Sequence, residues 1–464
     1  MRLTVVNQTA DTLAIFPAPH NDTGTGYCLS SSSCLAILLP PTCNTLHLEA
    51  ACVPADSESK FEPVVGLDNE PSAVIPLTFG AKWKTIRLRE DCPWRIYRGR
   101  ITRRHHKLTI LPRRNLASFL SEMPDSLPLS ALVLPGTHDT MAFYGWPISQ
   151  CQSPETPLEV QLHSGIRVLD VRLAVVDGRL IAYHGIFPQR TSFQTILGII
   201  HAFLTAPPTS RETLVLSIKQ EDFTKTPLPL FSRLVHDEIM RGPGGRDMWF
   251  LENRIPKLGE VRGRVVMLSR FGGDGSEWEG GLEGLGIHPT AWPDSEKEGF
   301  TWTLKGTLVR THDWYNIPSF LHIPEKVELA TQILLPPPNN PPFPVLNITF
   351  FSAASFPLAF PPLVAKGFGW PRWGMGIEGV NGRVGSWLLD KLSGGGKSGA
   401  DAGKKGSRRS WESNKQQEQR MVEDVRIRGW ALMDYYAEPD YGAVVPLLVE
   451  CNYRGRKKGE EGWE

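Results

Sequence analysis

The sequence predicts an α/β protein, a TIM-type (β/α)8 barrel preceded by a small all-β sandwich domain. Three observations support this fold class. Short alternating apolar runs fill the first part of the chain, which is the pattern of half-buried antiparallel strands. After about residue 116, continuously apolar strands alternate with longer helical patterns, as in β/α units. Polar residues recur at the carboxyl ends of the later strands, where a TIM barrel carries its active site.

Length and composition set the broad class of the protein. At 464 residues the chain exceeds one typical domain, so two domains, or one large barrel with an added module, are expected. Hydrophobic residues make up 41% of the chain, which is enough for sizeable cores. The 50 basic and 49 acidic residues give a formal net charge of +1. This balance offers no electrostatic basis for nucleic acid binding.

Residues 1–115 are predicted to form the β-sandwich. Short apolar runs separated by turn residues occur at 3–6, 13–16, 45–48 and 83–88. The stretch from Arg95 to Arg114 is basic. It is either a solvated linker and edge strand or a patch that meets anionic lipid headgroups.

The cysteines and the first residues of the chain give information about the cellular compartment of the protein. Five of the seven cysteines lie in the first hundred residues, and no CxxC pair occurs. This spacing argues against a zinc site, and it is compatible with a disulfide if the protein is secreted.

Residues 1–8 have a strand pattern and lack the apolar core of a signal peptide. The chain contains no run of 18 apolar residues, so no transmembrane helix is predicted. We expect a cytoplasmic protein without a cofactor, peripheral to membranes if its substrate is a lipid, and we assign no oligomeric state.

Residues 116–454 are predicted to form the barrel. Buried parallel strands are continuously apolar, and such runs occur at 131–134, 167–173, 214–219, 264–270, 307–310, 346–351 and 430–435. Helical patterns lie between several of them, at 193–204 and 229–240. A Gly/Ser/Lys/Gln-rich run at 393–419 is expected to be a disordered insertion without a catalytic role.

Six polar residues end or follow the predicted barrel strands. They are His138, Arg172, Lys219, Arg270, Asp313 and Asp434. Because the carboxyl ends of barrel strands meet at one rim, we expect these side chains to surround a single site.

Two histidines stand in short motifs that suit acid–base chemistry. His138 lies in Gly-Thr-His-Asp-Thr (136–140) and His184 lies in Tyr-His-Gly (183–185), with Asp-Val-Arg (170–172) between them. Cleavage of a phosphodiester without a metal needs a base, an acid and a fixed positive charge. Two imidazoles and a guanidinium supply these three groups.

The ordered set of these motifs, followed by Ser-Ile-Lys at 217–219, resembles the X-domain superfamily of phosphatidylinositol-specific phospholipase C. The resemblance is to the bacterial-type branch, in the form found in many fungal proteins, and it covers roughly residues 120–452. It implies a phosphoric diester hydrolase that cleaves phosphatidylinositol-type lipids to diacylglycerol and inositol cyclic phosphate. The first hundred residues lie outside it.

The resemblance implies a role for each catalytic residue. His138 matches the general base that takes a proton from the inositol 2-hydroxyl, and Asp434 matches the carboxylate that orients this base. His184 matches the general acid at the leaving oxygen, with Asp139 as its partner. Arg172 matches the guanidinium that offsets charge on the pentavalent transition state.

The same resemblance bears on metal use. In the calcium-dependent animal branch, an acidic residue stands at the position of Arg172, and an Asn stands at the position of Asp139. A guanidinium at the calcium position supplies positive charge and repels a cation. We therefore expect no metal ligands and no Ca²⁺ requirement.

A second group of residues is expected to bind substrate. Asp313 and Tyr315 resemble the family's Asp-x-Tyr segment, in which the carboxylate would accept from inositol hydroxyls and the aromatic ring would stack on the sugar. Lys219 and Arg270 are candidate ligands of the headgroup. Asp170 is a further candidate that could equally position the guanidinium two residues later.

Two other functions stay open. One is a phosphodiesterase for another headgroup, such as a lysophospholipid or a glycerophosphodiester, although such relatives carry acidic metal ligands near the first histidine. The other is a catalytically weak or inactive barrel that acts as a lipid-binding or scaffold protein. The presence of both His138 and His184 argues against this second alternative.

Overall fold

The computed structural model describes ten stretches of the chain. They are residues 1–18, 26–40, 42–51, 71–77, 82–339, 341–370, 375–394, 420–421, 425–440 and 442–464. The chain divides into two compact units. The first comprises Met1–Arg113, Trp370–Met375 and Ser386–Val425, and the second comprises Arg114–Gly369, Gly376–Gly385 and Arg426–Glu464.

The first unit is built mainly from β-strands and also contains residues 386–392 of the helix Val380–Leu392. Its strands are β1 (Arg2–Asn7), β2 (Leu13–Ala18), β3 (Tyr27–Leu29), β4 (Ser33–Leu38), β5 (Thr45–Ala50), β6 (Ser72–Pro76), β7 (Trp83–Ile86), β8 (Trp94–Thr102), β9 (His105–Pro112) and, far later in the chain, β22 (Arg420–Met421). One sheet has the strand order β22-β4-β1-β9-β8-β7, and the other has the order β3-β2-β5-β6.

Burial alternates along these strands. In β6 the buried residues are Ala73 and Ile75, and their neighbours along the strand are exposed. In β4 the side chain of Ile37 is buried, whereas Leu38 is 78% exposed. Ile37 of the first sheet and Ile75 of the second belong to the same buried cluster. Because side chains alternate between faces with a period of two, each sheet turns one face into that cluster.

The second unit alternates strands with helices. Its strands are β10 (Val133–Thr137), β11 (Val168–Val176), β12 (Arg179–His184), β13 (Phe187–Ser192), β14 (Leu214–Gln220), β15 (Trp249–Phe250), β16 (Val265–Arg270), β17 (Phe300–Leu304), β18 (Thr307–His312), β19 (Val345–Phe350) and β23 (Gly429–Met433). Its helices are α1 (Leu158–His163), α2 (Phe193–Thr205), α3 (Leu228–Arg241), α4 (Ile323–Gln332), α5 (Pro361–Lys366) and α7 (Val444–Glu450). The chain also forms β20 (Gly367–Trp370), β21 (Met375–Glu378) and α6 (Val380–Leu392).

The central strands of this unit are buried along their whole length. Every residue of β10 and of β23 is buried, and the two strands pair in parallel. A parallel sheet is covered on both faces, which is why its strands are continuously apolar. The sheet has the order β15-β16-β14-β11-β10-β23-β19-β18-β17, and β12 and β13 extend it from β11.

The sheet is curled. Strands β16 and β18 stand near opposite ends of the strand order, and no pairing joins them within the described stretches. Nevertheless, Nη2 of Arg270, which ends β16, lies 3.9 Å from Oδ2 of Asp313, which follows β18. The two sides of the sheet therefore bend toward each other at their carboxyl ends. The curled sheet with interspersed helices confirms the predicted α/β class.

Two further predictions concern the later part of the chain. The insertion predicted at 393–419 lies outside the described residues except for 393–394. The predicted division assigned residues 386–425 to the barrel, whereas the structure groups the described ones with the first unit. Across the ten described stretches, no helix combines the length and apolar character that a membrane span requires.

Candidate active site

His138 and Asp434 are held by two neighbouring strands. β10 pairs with β23 so that Thr137 lies opposite Met433, and His138 and Asp434 are the next residue after each strand. The backbone N–H of His138 donates to Met433 O over 3.0 Å. This register brings the two side chains together, with Nδ1 of His138 2.8 Å from Oδ1 of Asp434.

The backbone turns sharply beyond both strands. Asp139 and Tyr435 have φ angles of 41° and 45°, in the left-handed region that residues other than glycine seldom adopt. Two buried amides brace these turns. Gln152 Nε2 donates to His138 O over 2.9 Å, and Asn381 Nδ2 donates to Tyr435 O over 3.0 Å. The bonds satisfy carbonyls outside the strand ladders and hold the strained conformations in place.

Gly136 permits the close strand contact beside the site. A Cβ at this position would come within 2.8 Å of Val168 Cβ and within 3.0 Å of Leu432 Cγ. Both neighbours belong to strands that pair with β10. A larger residue would force apart the strands that set the positions of His138 and Asp434.

Asp139 lies between two imidazoles. Its Oδ2 atom is 3.3 Å from Nε2 of His138 and 3.3 Å from Nε2 of His184. His184 ends β12, and its Nδ1 lies 2.8 Å from Ser149 O. Because a carbonyl can only accept, the hydrogen-bond network assigns a proton to this Nδ1 and turns Nε2 toward the carboxylate. The two ring centroids are 6.3 Å apart.

Arg172 contacts both His138 and the shared carboxylate. Its Nη2 is 2.7 Å from Nε2 of His138, and its Nε is 2.8 Å from Asp139 Oδ1 and 3.3 Å from Asp170 Oδ2. Since a guanidinium only donates, Nε2 of His138 accepts, and the ring proton sits on Nδ1, which faces Asp434. This tautomer leaves Nε2 with the lone pair that a general base needs.

Three cations form a row across the sheet. Arg172 of β11 lies opposite Lys219 of β14, and Lys219 lies opposite Arg270 of β16. Residues in register on adjacent strands are about 4.8 Å apart and point to the same face. Glu221 offsets part of the charge, with Oε1 3.2 Å from Arg172 Nη1 and 3.3 Å from Lys219 Nζ. The row can bind an anion such as a phosphate group.

Burial shifts the pKa values of the central groups in different directions. Burial and the charge of Arg172 lower the pKa of His138 well below its usual value, so the resting imidazole is neutral. Burial raises the pKa of Asp139 to about 6, against the opposing charge of Arg172. Burial and the charge of Asp139 raise the pKa of Asp434. Burial also acts to raise the pKa of Asp170, but the neighbouring arginines outweigh it and the net shift is downward.

Asp313 and Tyr315 follow β18 at the edge of the site. Nε1 of Trp292 donates to Asp313 Oδ2 over 2.9 Å, and the guanidinium of Arg270 lies over the same indole, 4.1 Å from a ring centroid. Tyr315 is 39% exposed, and its hydroxyl donates to Asp294 Oδ1 over 2.5 Å. The Tyr315 ring is therefore accessible while its hydroxyl is fixed.

These side chains surround one cavity of about 730 Å³. Eight of the ten residues predicted for the site line it, namely His138, Arg172, His184, Lys219, Arg270, Asp313, Tyr315 and Asp434. Asp139 and Asp170 lie behind this lining, buried against Arg172. The structure thus brings all ten together. Arg172 is not at the end of its strand, because β11 continues to Val176 through antiparallel pairing with β12.

Three residues near the site carry no signal in the sequence. Cys151 is buried, with Sγ 3.7 Å from Nδ1 of His184. Trp292 lies in the loop between β16 and β17 and binds Asp313. Lys326 is buried in α4. All three stand outside the motifs and away from the strand ends, so neither spacing nor strand position marks them.

A possible metal ligand set overlaps the site. One ligand atom from each of His138, Asp139 and Cys151 lies within 4.8 Å of the others. Arg172 donates to two of the three residues, and its fixed positive charge opposes a cation at that point. We therefore assign no metal to these residues.

The arrangement suits acid–base chemistry at phosphorus. His138 offers an unprotonated Nε2, and His184 stands on the other side of Asp139. Both rings line the cavity, so a substrate bound there could lose a proton to one and gain a proton from the other. The cationic row beside them can stabilise negative charge that develops on phosphoryl oxygens.

Comparison with known proteins relates this chain to one group of enzymes by sequence. No family model matches the chain. It is 32% identical over 161 residues to the 1-phosphatidylinositol phosphodiesterase of Listeria monocytogenes, which covers 32% of this chain and 48% of that protein. It is 24% identical over 184 residues to the protein of the same name from Staphylococcus aureus, which covers 38% and 57%. The chain thus spans about half the length of the curated relatives it matches.

Solved structures show a related fold. A phosphatidylinositol-specific phospholipase C from S. aureus, solved in work on the modulation of its membrane binding, matches with a TM-score of 0.52 at 19% identity. The match covers 73% of this chain and 98% of that one. A further structure of the same enzyme matches with a TM-score of 0.51 at 19% identity, covering 73% and 99%. The chain therefore has, over most of its length, the α/β fold of these structures.

Proposed function

We propose that this protein is a phosphoric diester hydrolase of the bacterial phosphatidylinositol-specific phospholipase C type. It cleaves phosphatidylinositol-type lipids to diacylglycerol and inositol cyclic phosphate without a metal. One observation carries the proposal: Asp139 Oδ2 lies 3.3 Å from Nε2 of both imidazoles, and Arg172 donates to Nε2 of His138, the nitrogen without a proton. The curated relatives, which are named 1-phosphatidylinositol phosphodiesterases, support the same reaction.

The first step is an intramolecular displacement at phosphorus. The inositol 2-hydroxyl passes its proton to Nε2 of His138 and forms a new bond to phosphorus, while the bond from phosphorus to the diacylglycerol oxygen breaks. Asp434, 2.8 Å from Nδ1, stabilises the imidazolium that forms. In this step His184 starts as the imidazolium, with one proton on Nδ1 facing Ser149 O and a second on Nε2 facing Asp139. It gives the Nε2 proton to the leaving oxygen and keeps the proton on Nδ1.

Arg172 stabilises the negative charge that grows on the phosphoryl oxygens. Its guanidinium already lies at Nε2 of His138, which places a fixed positive charge where the nucleophile and phosphorus meet. Asp170 and Asp139 hold its Nε, so Asp170 acts in this proposal by positioning Arg172. A preorganised guanidinium of this kind typically lowers the barrier by about 3 kcal/mol.

The second step opens the cyclic phosphate. Water attacks phosphorus and loses a proton to His184, while His138 returns its proton to the 2-oxygen as the ring bond breaks. The two imidazoles thereby exchange roles and regain their starting protonation. The product is an inositol phosphate monoester.

The headgroup is bound by the remaining residues of the cavity. Lys219 and Arg270, in register with Arg172, bind phosphoryl and inositol oxygens. Asp313 accepts from inositol hydroxyls, and the accessible ring of Tyr315 stacks on the sugar.

The proposal also covers the domain architecture of the protein and its location in the cell. In this proposal the strands of the second unit form a TIM-type (β/α)8 barrel within residues 116–454, and residues 1–115 form a β-sandwich accessory domain. The parallel strands of the second unit and the shared core of the two sheets in the first unit support these assignments. The enzyme acts from the cytoplasm as a peripheral protein at a membrane surface, since its substrate is a lipid.

The test is hydrolysis of phosphatidylinositol vesicles with and without EDTA, with inositol cyclic phosphate followed by ³¹P NMR. The active-site variant is His138→Ala, and the matched control is His163→Ala, which changes an exposed histidine of α1. Product that persists in EDTA, is lost in His138→Ala and is retained in His163→Ala is the expected result.

Two other outcomes contradict the proposal. Loss of product in EDTA would replace the metal-free mechanism with a metal-dependent one. Absence of product from the unmodified protein would reject the inositol headgroup. Parallel assays with a lysophospholipid and a glycerophosphodiester would then separate a phosphodiesterase of other specificity from a lipid-binding protein without activity.

A further inference from the structure

The hairpin formed by β8 and β9 in the first unit carries exposed arginines. Arg103 and Arg104 occupy its two-residue turn, and Arg100 precedes it on β8; all three are exposed. The backbone N–H of Arg2, at the start of β1, donates to Arg104 O over 2.8 Å. This bond places the exposed side of Arg2 at the same end of the sheet. We call Arg2, Arg100, Arg103 and Arg104 the hairpin cluster.

The positive charge of the hairpin cluster is not balanced locally. Within the described residues, none of its guanidinium groups forms an ion pair with a carboxylate. Several other surface arginines of the chain are paired; Arg254, for example, binds both Glu252 and Glu260. Four like charges at one end of a sheet repel one another, so an external anion would stabilise them.

The histidines beside the cluster lie in the same positive field. Burial lowers the pKa of His105, and the charges of Arg2 and Lys107 lower it further. Burial also lowers the pKa of His106, followed by the charges of Arg98 and Arg100. The neighbouring guanidinium groups of the cluster, Arg2 for His105 and Arg100 for His106, therefore act on these imidazoles as positive charges.

Turn chemistry does not explain arginines at this position. Two-residue hairpin turns favour Asn-Gly, Asp-Gly or Gly-containing pairs, because their backbone needs positive φ angles. Neither Arg103 nor Arg104 has a positive φ, and β8 carries a bulge between Arg100 and Thr102 instead. The hairpin therefore forms with negative φ angles at both arginines, and its turn does not depend on the residues that such turns usually favour.

An apolar side chain stands among the cations. Ile101, next to Arg100, is 45% exposed. An exposed β-branched residue beside exposed arginines in the chain matches the boundary between lipid headgroups and acyl chains, where the apolar group enters and the cations meet phosphates. A nucleic acid fits this surface less well, because the cluster and Ile101 offer no aromatic ring for base stacking.

We propose that the hairpin cluster and Ile101 form a docking surface for a bilayer of anionic phospholipids. Charge complementarity carries the proposal, since the surface offers four exposed guanidinium groups and phospholipid headgroups present phosphate and carboxylate oxygens. Each basic side chain near such a surface strengthens binding by about fivefold at physiological ionic strength. This binding is separate from substrate recognition in the second unit and does not depend on turnover.

The test is co-sedimentation of the full chain with vesicles of phosphatidylcholine alone and of phosphatidylcholine mixed with phosphatidylserine. The variant Arg100→Gln/Arg103→Gln/Arg104→Gln is compared with Arg179→Gln/Arg233→Gln/Arg241→Gln. The second variant removes the same charge from exposed positions of the second unit. The hairpin variant is expected to bind phosphatidylserine vesicles about 100-fold more weakly than the unmodified chain, and the matched variant is expected to change less than threefold or so.

Ile101→Ser separates the apolar contribution from the charge. It is expected to weaken binding to phosphatidylserine vesicles several-fold, while the dependence on NaCl stays that of the unmodified chain. Circular dichroism of each variant checks that the strands are intact.

Three results would overturn the proposal. One is an equal loss in the hairpin variant and the charge-matched variant. Another is binding of the unmodified chain to phosphatidylserine vesicles that does not weaken with NaCl, a measurement that needs no variant to fold. The third is loss of retention on RNA in the hairpin variant with vesicle binding unchanged, which would assign the cluster to a polyanion in solution. Because these vesicles contain no phosphatidylinositol, each result is independent of the proposed catalytic activity.

Discussion

Nδ1 of His138 and Oδ1 of Asp434 lie 2.8 Å apart although the two residues are 296 positions apart in the chain. They meet because β10 and β23 are adjacent parallel strands and both residues follow directly after a strand end. The carboxyl group fixes the imidazole with its proton on Nδ1, and it stabilises the imidazolium that arises when Nε2 takes a proton. This contact is therefore the basis of the first prediction.

Asp434→Asn is expected to lower kcat for phosphatidylinositol cleavage by about 10³-fold. The amide can donate to Nδ1, which favours the tautomer with its proton on Nε2 and removes the lone pair of the base. Because Asp434 acts through His138, KM should change little. Steady-state kinetics on mixed micelles at neutral pH measure both constants.

The control for this variant is Asp237→Asn, which changes an acidic residue on the surface of α3 with 40% of its side chain exposed. It should keep the activity of the unmodified protein. A loss below tenfold in Asp434→Asn would show that the carboxylate does not set the tautomer.

The second prediction distinguishes the general acid from the general base by comparing two substrates that differ in their leaving group. His184→Ala should lower kcat on phosphatidylinositol by about 10³-fold, since diacylglycerol is a poor leaving group without a proton. On an inositol phosphodiester of p-nitrophenol the same variant should lose less than about tenfold, because a phenolate leaves without protonation. Absorbance of released p-nitrophenol gives the rate directly.

His138→Ala supplies the comparison for the leaving-group experiment. Removal of the base should slow both substrates to a similar degree, because the 2-hydroxyl must lose its proton in either case. If His184→Ala also slows both substrates equally, the assignment of His184 as the acid is wrong.

The periodic spacing of apolar residues in the sequence was sufficient to predict the position of some helices. The helix predicted at 193–204 is found as Phe193–Thr205, because its buried residues recur three or four positions apart, as in Ile196, Ile200 and Phe203. Ser192 also marks its start by accepting from the N–H of Thr195. Because a helix is held together by contacts between residues close in sequence, its apolar spacing and its capping residue can both be recognised in the sequence.

Pairing between distant segments was not predictable in this way. β22 pairs with the edge of β4, with Arg420 opposite Cys34, and no periodic pattern in either segment specifies the other. The row of Arg172, Lys219 and Arg270 depends likewise on the register of three strands. Strand-end position and family resemblance predicted that these residues belong together, whereas the register that aligns them is set by packing of the whole sheet.

The third prediction concerns Asp139 and pH. Burial raises the pKa of this carboxyl from 3.8 to about 6, so the folded protein binds its proton more tightly than the unfolded chain does. Such a group contributes stability that is complete below pH 3.8 and is lost as the pH rises through 6. The contribution is of the order of 3 kcal/mol. Asp139→Asn resembles the protonated form at every pH, so it should be more stable than the unmodified protein at pH 8 and about equal to it at pH 4.

Thermal unfolding at pH 4, 6 and 8 measures this difference, with Asp237→Asn as the exposed control. The Tm of Asp139→Asn should exceed that of the unmodified protein by several degrees at pH 8. A gain in Tm that is the same at pH 4 and pH 8 would show that the effect does not come from the ionisation of Asp139.

The last prediction concerns Lys326, which is buried and donates from Nζ to Trp314 O over 2.7 Å. No carboxylate among the described residues forms an ion pair with it. Burial lowers its pKa from 10.5 to about 7. A lysine with a depressed pKa contributes stability that is complete above pH 10.5 and is lost as the pH falls toward 7, at a cost of up to about 5 kcal/mol.

Lys326→Met removes the buried amino group that changes its charge with pH. It also removes the hydrogen bond to Trp314 O, which contributes about 1 kcal/mol to stability. The variant should therefore be more stable than the unmodified protein by a few kcal/mol at pH 7, and the advantage should disappear near pH 10. Urea unfolding monitored at both pH values tests this, and the exposed Lys225→Met should show no such dependence. A destabilised variant at pH 7 would mean that the bond to Trp314 O outweighs the cost of the buried charge, and that the lysine stabilises the wall behind the active site.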